Sequence, residues 1–137
     1  MAANPRRKAR VAALQALYES DVSHHDPLRS LDRLCIEARL SEAQTSFARE
    51  LVEGVIEQRD AIDAIIHRAA PQWPVSQLSA VDRNVLRLAI REILMNNGAP
   101  IRAAINEAVE LAKSFGSDNS AKFVNGVLGS VSLSLAR

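Results

Sequence analysis

Four cations crowd one short stretch, Arg6-Arg7-Lys8-Ala9-Arg10, and no acidic residue stands before Glu19. Side chains of this type at this density neutralise phosphates. They fall where a first helix is expected to begin, so the helix dipole opposes them and local helix stability gains nothing from them. Their placement points to an anionic partner, with an exposed solubilising end as the other reading. A second group is Ser117-Asp118-Asn119-Ser120-Ala121-Lys122-Phe123, a polar turn that opens a helix and sets a lysine beside an aromatic ring. The free N–H groups of a helix start donate to phosphate, and Phe123 either stacks on an unpaired base or packs in the core. Tyr18 carries the same two readings. It follows Leu14 by one helical turn, and a tyrosine can lie on the core with its hydroxyl wet.

Residues for catalysis do not assemble in the sequence. The five glycines form no dinucleotide fingerprint, phosphate loop or nucleophile elbow. His24, His25 and Asp26 are adjacent on an expected interhelical loop, where neighbouring side chains diverge, and His67 is remote, so zinc-ligand spacing is absent. The carboxylate pairs Asp60 with Asp63 and Glu107 with Glu110 each share a helix face and read as solvated. Cys35, the only cysteine, lies on an apolar stripe and reads as a small core residue; alone, it excludes an internal disulfide. No catalytic residue, metal site or cofactor is expected.

These groups must be positioned by helices. The 137 residues are 47% hydrophobic and 24% charged, the composition of one globular domain with enough chain to bury a core. Pro5 opens a helix running to about Asp21, with Val11, Leu14, Leu17 and Tyr18 on one stripe. Pro27 begins a second, with Leu28, Leu31, Leu34 and Cys35 at helical spacing. Ser41 and Gln44 form a capping box for a third, whose inward face is Phe47, Leu51 and Val55. A fourth carries Ile62, Ile65 and Ile66 and is stopped by Pro71 and Pro74. Val81, Val85, Leu88 and Ile93 mark a fifth, ended by Asn97-Gly98. Pro100 starts a sixth whose buried side is Ile101, Ala104, Ile105, Ala108, Leu111, Ala112 and Phe115. Gly116 suits a left-handed closing residue, and Ser117 or Asp118 caps the last helix, with Val124, Val127, Leu128 and Val131 inside. The expected fold is all-α, about seven helices in two small packed bundles, with subdomains of about 1–70 and 75–137 meeting at Ala70 to Val75.

Charge is divided along this chain. Net charge is only +1, yet ten acids face five bases between positions 11 and 60, and seven bases face four acids from 83 to 137. No apolar run reaches the length of a membrane span or a signal-peptide core, so a cytoplasmic setting is expected.

Larger patterns then emerge: Arg6-Arg7-Lys8-Ala9-Arg10 with Ala16-Leu17-Tyr18, then Asp82-Arg83-Asn84-Val85-Leu86-Arg87-Leu88-Ala89, then Ala104 to Lys113 (AINEAVELAK) and Phe115-Gly116-Ser117 through Gly126. In order and spacing these resemble the NusB family of bacterial transcription antitermination factors over nearly the whole chain. The resemblance implies two helical bundles, no enzymatic activity, binding of single-stranded boxA-type RNA from ribosomal RNA operon leaders, and action with NusE, the small-subunit ribosomal protein, in an antitermination complex on RNA polymerase. It assigns Arg6, Arg7, Lys8 and Arg10 to the RNA-binding segment, and Lys122 and Phe123 to the RNA-facing start of the last helix. Tyr18 falls at the edge of the RNA and partner surfaces, and Asp82 with Arg87 near NusE.

Two other function classes remain beside this one. A noncatalytic RNA-binding domain of the kind attached to RNA cytosine methyltransferases would share the helical pattern, with its catalytic domain elsewhere. A helical adaptor that binds only proteins would retain no RNA at moderate salt.

Overall fold

A computed structural model describes residues 5–96 and 98–135. Among them the regular structure is seven α-helices and one 3-10 turn, with no strand: α1 (Arg7–Ser23), α2 (Pro27–Glu37), α3 (Glu42–Glu57), α4 (Arg59–Ala69), the turn Val75–Gln77, α5 (Ala80–Met95), α6 (Ile101–Phe115) and α7 (Ser120–Ser134). The chain divides into two compact units between Glu57 and Gln58.

The first unit holds α1, α2 and α3, and α1 packs against both of the others. Ala9, Ala12, Ala13 and Ala16 make much of its buried face, and such small side chains let neighbouring helices approach closely. Leu14, Leu17, Leu31, Leu51, Val52 and Val55 fill the interior. Local chemistry fixes the helix starts. Asp26 Oδ1 accepts from Leu28 N at 3.0 Å, with Pro27 in the first turn. The capping box forms in both directions: Gln44 N donates to Ser41 Oγ at 3.1 Å, and Ser41 N donates to Gln44 Oε1 at 2.9 Å. Gln44 Nε2 also donates to Pro5 O at 2.7 Å, so one amide ties the start of α3 to the start of α1.

In the second unit α5 is the central element. Val85, Leu86, Leu88, Ala89, Ile90 and Ile93 are buried, and so are the polar Asn84, Arg87 and Glu92, so this helix has interior contacts around most of its circumference. It packs against α4, α6 and α7. Ser79 caps it, its Oγ accepting from Asp82 N at 3.1 Å. It ends at Asn96 in the left-handed conformation, one residue before the expected Asn97-Gly98 turn, of which Asn97 lies outside the described residues.

The division between units differs from the expected one. The prolines at 71 and 74 do end α4, but α4 packs on α5 and α7, so the Ala70 to Val75 segment links elements of one unit. Phe115 also differs, being exposed rather than on the buried side of α6. Gly116 does not close α6 in a left-handed conformation: its φ is −97°. It is required by space, because a Cβ there would overlap the Ser120 side chain and lie 2.8 Å from Ala112 O. Ser120 Oγ, packed against that glycine, accepts from Ser117 N at 2.9 Å, and neither Ser117 nor Asp118 is the N-cap of α7.

Candidate nucleic-acid interface

The N-terminal cations stand on the first turns of α1, which has no acidic residue there and no side-chain cap. Arg6, Arg7 and Lys8 are exposed. Arg6 and Arg10 both approach Phe47 of α3, with guanidinium carbons 4.5 and 5.4 Å from its ring centroid. A cation over an aromatic face is held by the ring quadrupole, so Phe47 positions the cluster. Arg10, however, is only 5% exposed. It belongs to the support of the cluster rather than its exposed edge, so of the four cations assigned to the RNA-binding segment Arg6, Arg7 and Lys8 are the exposed ones. Phe47 was legible only as a core position on α3; its contact with arginines from α1 is a tertiary event with no local signal. Tyr18, further along α1, is 40% exposed, so its ring has one wet side.

In the second unit, Lys122 and Phe123 lie on the first turn of α7, the lysine exposed and the ring partly buried. Both line a groove of about 450 Å³ together with Trp73, Gln72 and Asn119. Trp73 lies in the Ala70 to Val75 segment, expected as the seam between subdomains, and its place beside Phe123 comes from the packing of α4 on α7.

Asp82 and Arg87, assigned together to a partner surface, have different surroundings. Asp82 is partly exposed, and its Oδ1 is buried with no hydrogen-bond partner. Arg87 is 8% exposed and held by Asp63 of α4 through Nε to Oδ1 at 2.8 Å and Nη2 to Oδ2 at 2.9 Å. Asn84 Oδ1 accepts from Arg87 Nη1 at 3.5 Å, and Asn84 Nδ2 donates to Ala80 O at 2.8 Å. Arg87 is therefore an internal clamp rather than a surface contact, and Asp63 is its partner rather than half of a solvated carboxylate pair. Both revisions come from an α4 to α5 contact between residues far apart in sequence.

The remaining reactive side chains are dispersed. His24 and His25 are exposed, and no group of three His, Cys, Asp or Glu residues among the described ones is arranged to hold a metal ion. Cys35 is buried; burial pushes its thiol pKa up, reinforced by Asp32, while a hydrogen bond with Thr45 and the charge of Arg49 pull it down. No helix among the described residues is long and apolar enough to cross a membrane.

The fold is that of an all-helical protein with exposed cations at the starts of α1 and α7, Tyr18 exposed along α1 and Phe123 partly exposed on α7. The NusB family model matches residues 7–133. The chain is 53% identical over 131 residues to the transcription antitermination protein NusB of Dehalococcoides mccartyi, covering 96% of this chain and 92% of that one. Its structure is similar to that of T. maritima NusB, with a TM-score of 0.89 and 37% identity over 96% of this chain and 93% of that one. It is also similar to a chain in a complex of the antitermination factors NusB and NusE with dsRNA, with a TM-score of 0.86 and 26% identity over 95% and 97% of the two chains. The chain belongs to the NusB family.

Proposed function

We propose that this protein is a transcription antitermination factor that binds boxA-type single-stranded RNA from ribosomal RNA operon leaders together with NusE, within an antitermination complex on RNA polymerase. The observation that carries this reading is family membership along residues 7–133, including the cation-bearing start of α1. A structural relative solved with NusE and dsRNA supports RNA as the ligand class and NusE as the partner.

In this reading Arg6, Arg7 and Lys8 neutralise phosphates and set the RNA in place. Tyr18 and Phe123 offer ring faces to unpaired bases, and Lys122 adds a cation beside Phe123. Asp82, partly exposed on the first turn of α5, contributes to the NusE surface. The protein acts by binding, without a reaction of its own, in the cytoplasm where transcription runs. Titration of a labelled boxA-type RNA with and without NusE tests the proposal: binding at moderate salt that NusE strengthens is expected. No retention of RNA under either condition would leave a protein-only adaptor.

A further inference from the structure

The lone tryptophan sits in an unusual setting. Trp73 is 57% exposed, although burying an indole is one of the larger hydrophobic gains open to a chain. It is also held in place. Pro71 and Pro74 flank it, each fixing its own φ and restricting the residue before it, and Trp73 N donates to Ala70 O at 3.0 Å. An exposed indole on a stiffened turn is presented to something, since little conformational entropy is lost when a partner covers it.

What it faces limits the partner. The groove beside Trp73 is shared with Phe123, and among the described residues Lys122 is the only charged one lining it, so the cleft combines two aromatic side chains with one cation. Gln72 and Asn119 add amides, and the Asn119 side chain makes no capping bond to α7. Ring faces for a planar heterocycle, amides for its polar edge and an ammonium for the adjoining phosphate are the groups a nucleotide of unpaired RNA requires. An apolar side chain from a protein would use the rings but leave the lysine and both amides without a role.

We propose that Trp73 is a base-contacting residue and that the Trp73 and Phe123 groove takes one unpaired nucleobase of single-stranded RNA. The inference rests on the RNA-binding reading above and extends it to a residue on the turn after α4.

Because the chain has a single tryptophan, its fluorescence reports on this site alone. An end-labelled, unstructured oligoribonucleotide is titrated into the full chain, with NusE present and absent, while tryptophan emission and label polarisation are followed together. Quenching that saturates with polarisation is expected, and an abasic oligomer of equal charge should leave the emission unchanged. Trp73→Ala should weaken binding by about 5- to 150-fold, the range for one stacked base, and Trp73→Phe should restore most of it. Melting curves of both variants report that they fold. Emission unmoved by bound RNA, with undiminished affinity in Trp73→Ala, overturns the inference and leaves RNA binding standing. Equal quenching by the abasic oligomer also overturns it, as does a Trp73→Ala variant that loses affinity for NusE but not for RNA. Absence of RNA binding by the unaltered chain under every condition overturns both the inference and the proposed function.

Discussion

Asp63 grips Arg87 with both carboxylate oxygens, at 2.8 and 2.9 Å, and so joins α4 to α5 through a guanidinium that is nearly excluded from water. Two parallel charge-assisted bonds fix orientation as well as distance, which a lysine at position 87 would not reproduce. Removing one partner leaves the other charge desolvated and alone. Asp63→Asn should cost about 1.5–3 kcal/mol, the range for hydrogen bonds to charged groups, because the carboxylate is partly solvated. Replacing both residues with apolar ones should cost less than the sum of the single changes. Urea unfolding of the four proteins in that cycle checks this, and a strictly additive result would mean the pair contributes nothing as a pair.

Arg10 and its exposed neighbours should separate in their effects. Each phosphate contact to single-stranded RNA contributes about −0.7 to the slope of log affinity against log salt. If Arg6, Arg7 and Lys8 each meet one phosphate, replacing all three by alanine should flatten the slope by about 2. Arg10→Ala should instead lower the melting temperature, through loss of its packing on Phe47, with a smaller change in slope. A salt series on both variants decides it; an unchanged slope in the triple variant would remove the cluster from the RNA site.

Gly116 and Gly129 are both glycines of the second unit with opposite expected responses. A methyl group at 116 meets Ser120 and Ala112 O, so Gly116→Ala should destabilise by about 1–3 kcal/mol. Gly129 is helical with nothing within 4 Å of an added Cβ, so Gly129→Ala should stabilise by about 0.5–1 kcal/mol. Thermal melts of the two variants should therefore shift in opposite directions.

The buried thiol gives a prediction in pH. Burial raises the pKa of Cys35 in the folded state above its unfolded value of about 8.5. The folded form therefore holds its proton where the unfolded form has released it. Stability from this group is complete below the unfolded pKa and declines as pH rises through the folded one. Unfolding free energy measured from neutral to alkaline pH should show that decline in the unaltered chain, and the Cys35→Ala variant should lack its share of it. Thiol reagents should react slowly until the protein unfolds.

The helices were legible because each carries an apolar stripe at helical period, and the Ser41 and Gln44 cap because all its partners lie within four residues. What escaped the sequence was nonlocal. The prolines at 71 and 74 announce a turn, but only the packing of α4 on α5 and α7 assigns α4 to the second unit. Arg10 reads with the phosphate-binding cations, and the resemblance places Arg87 near NusE; Phe47 and Asp63, which hold them inside, come from other helices. Gly116 was recognised as a break between α6 and α7, and the reason for it, the approach of Ser120, appeared only with the fold.

Joint binding of RNA and NusE is read out by calorimetry on all four legs of the binding cycle. NusE should raise affinity for boxA-type RNA, and RNA should raise affinity for NusE by the same factor, as linkage requires. Asp82→Lys should weaken the NusE leg while leaving RNA binding by the isolated protein intact. A cycle with no coupling, or RNA that binds neither the protein nor its complex with NusE, would rule out joint binding.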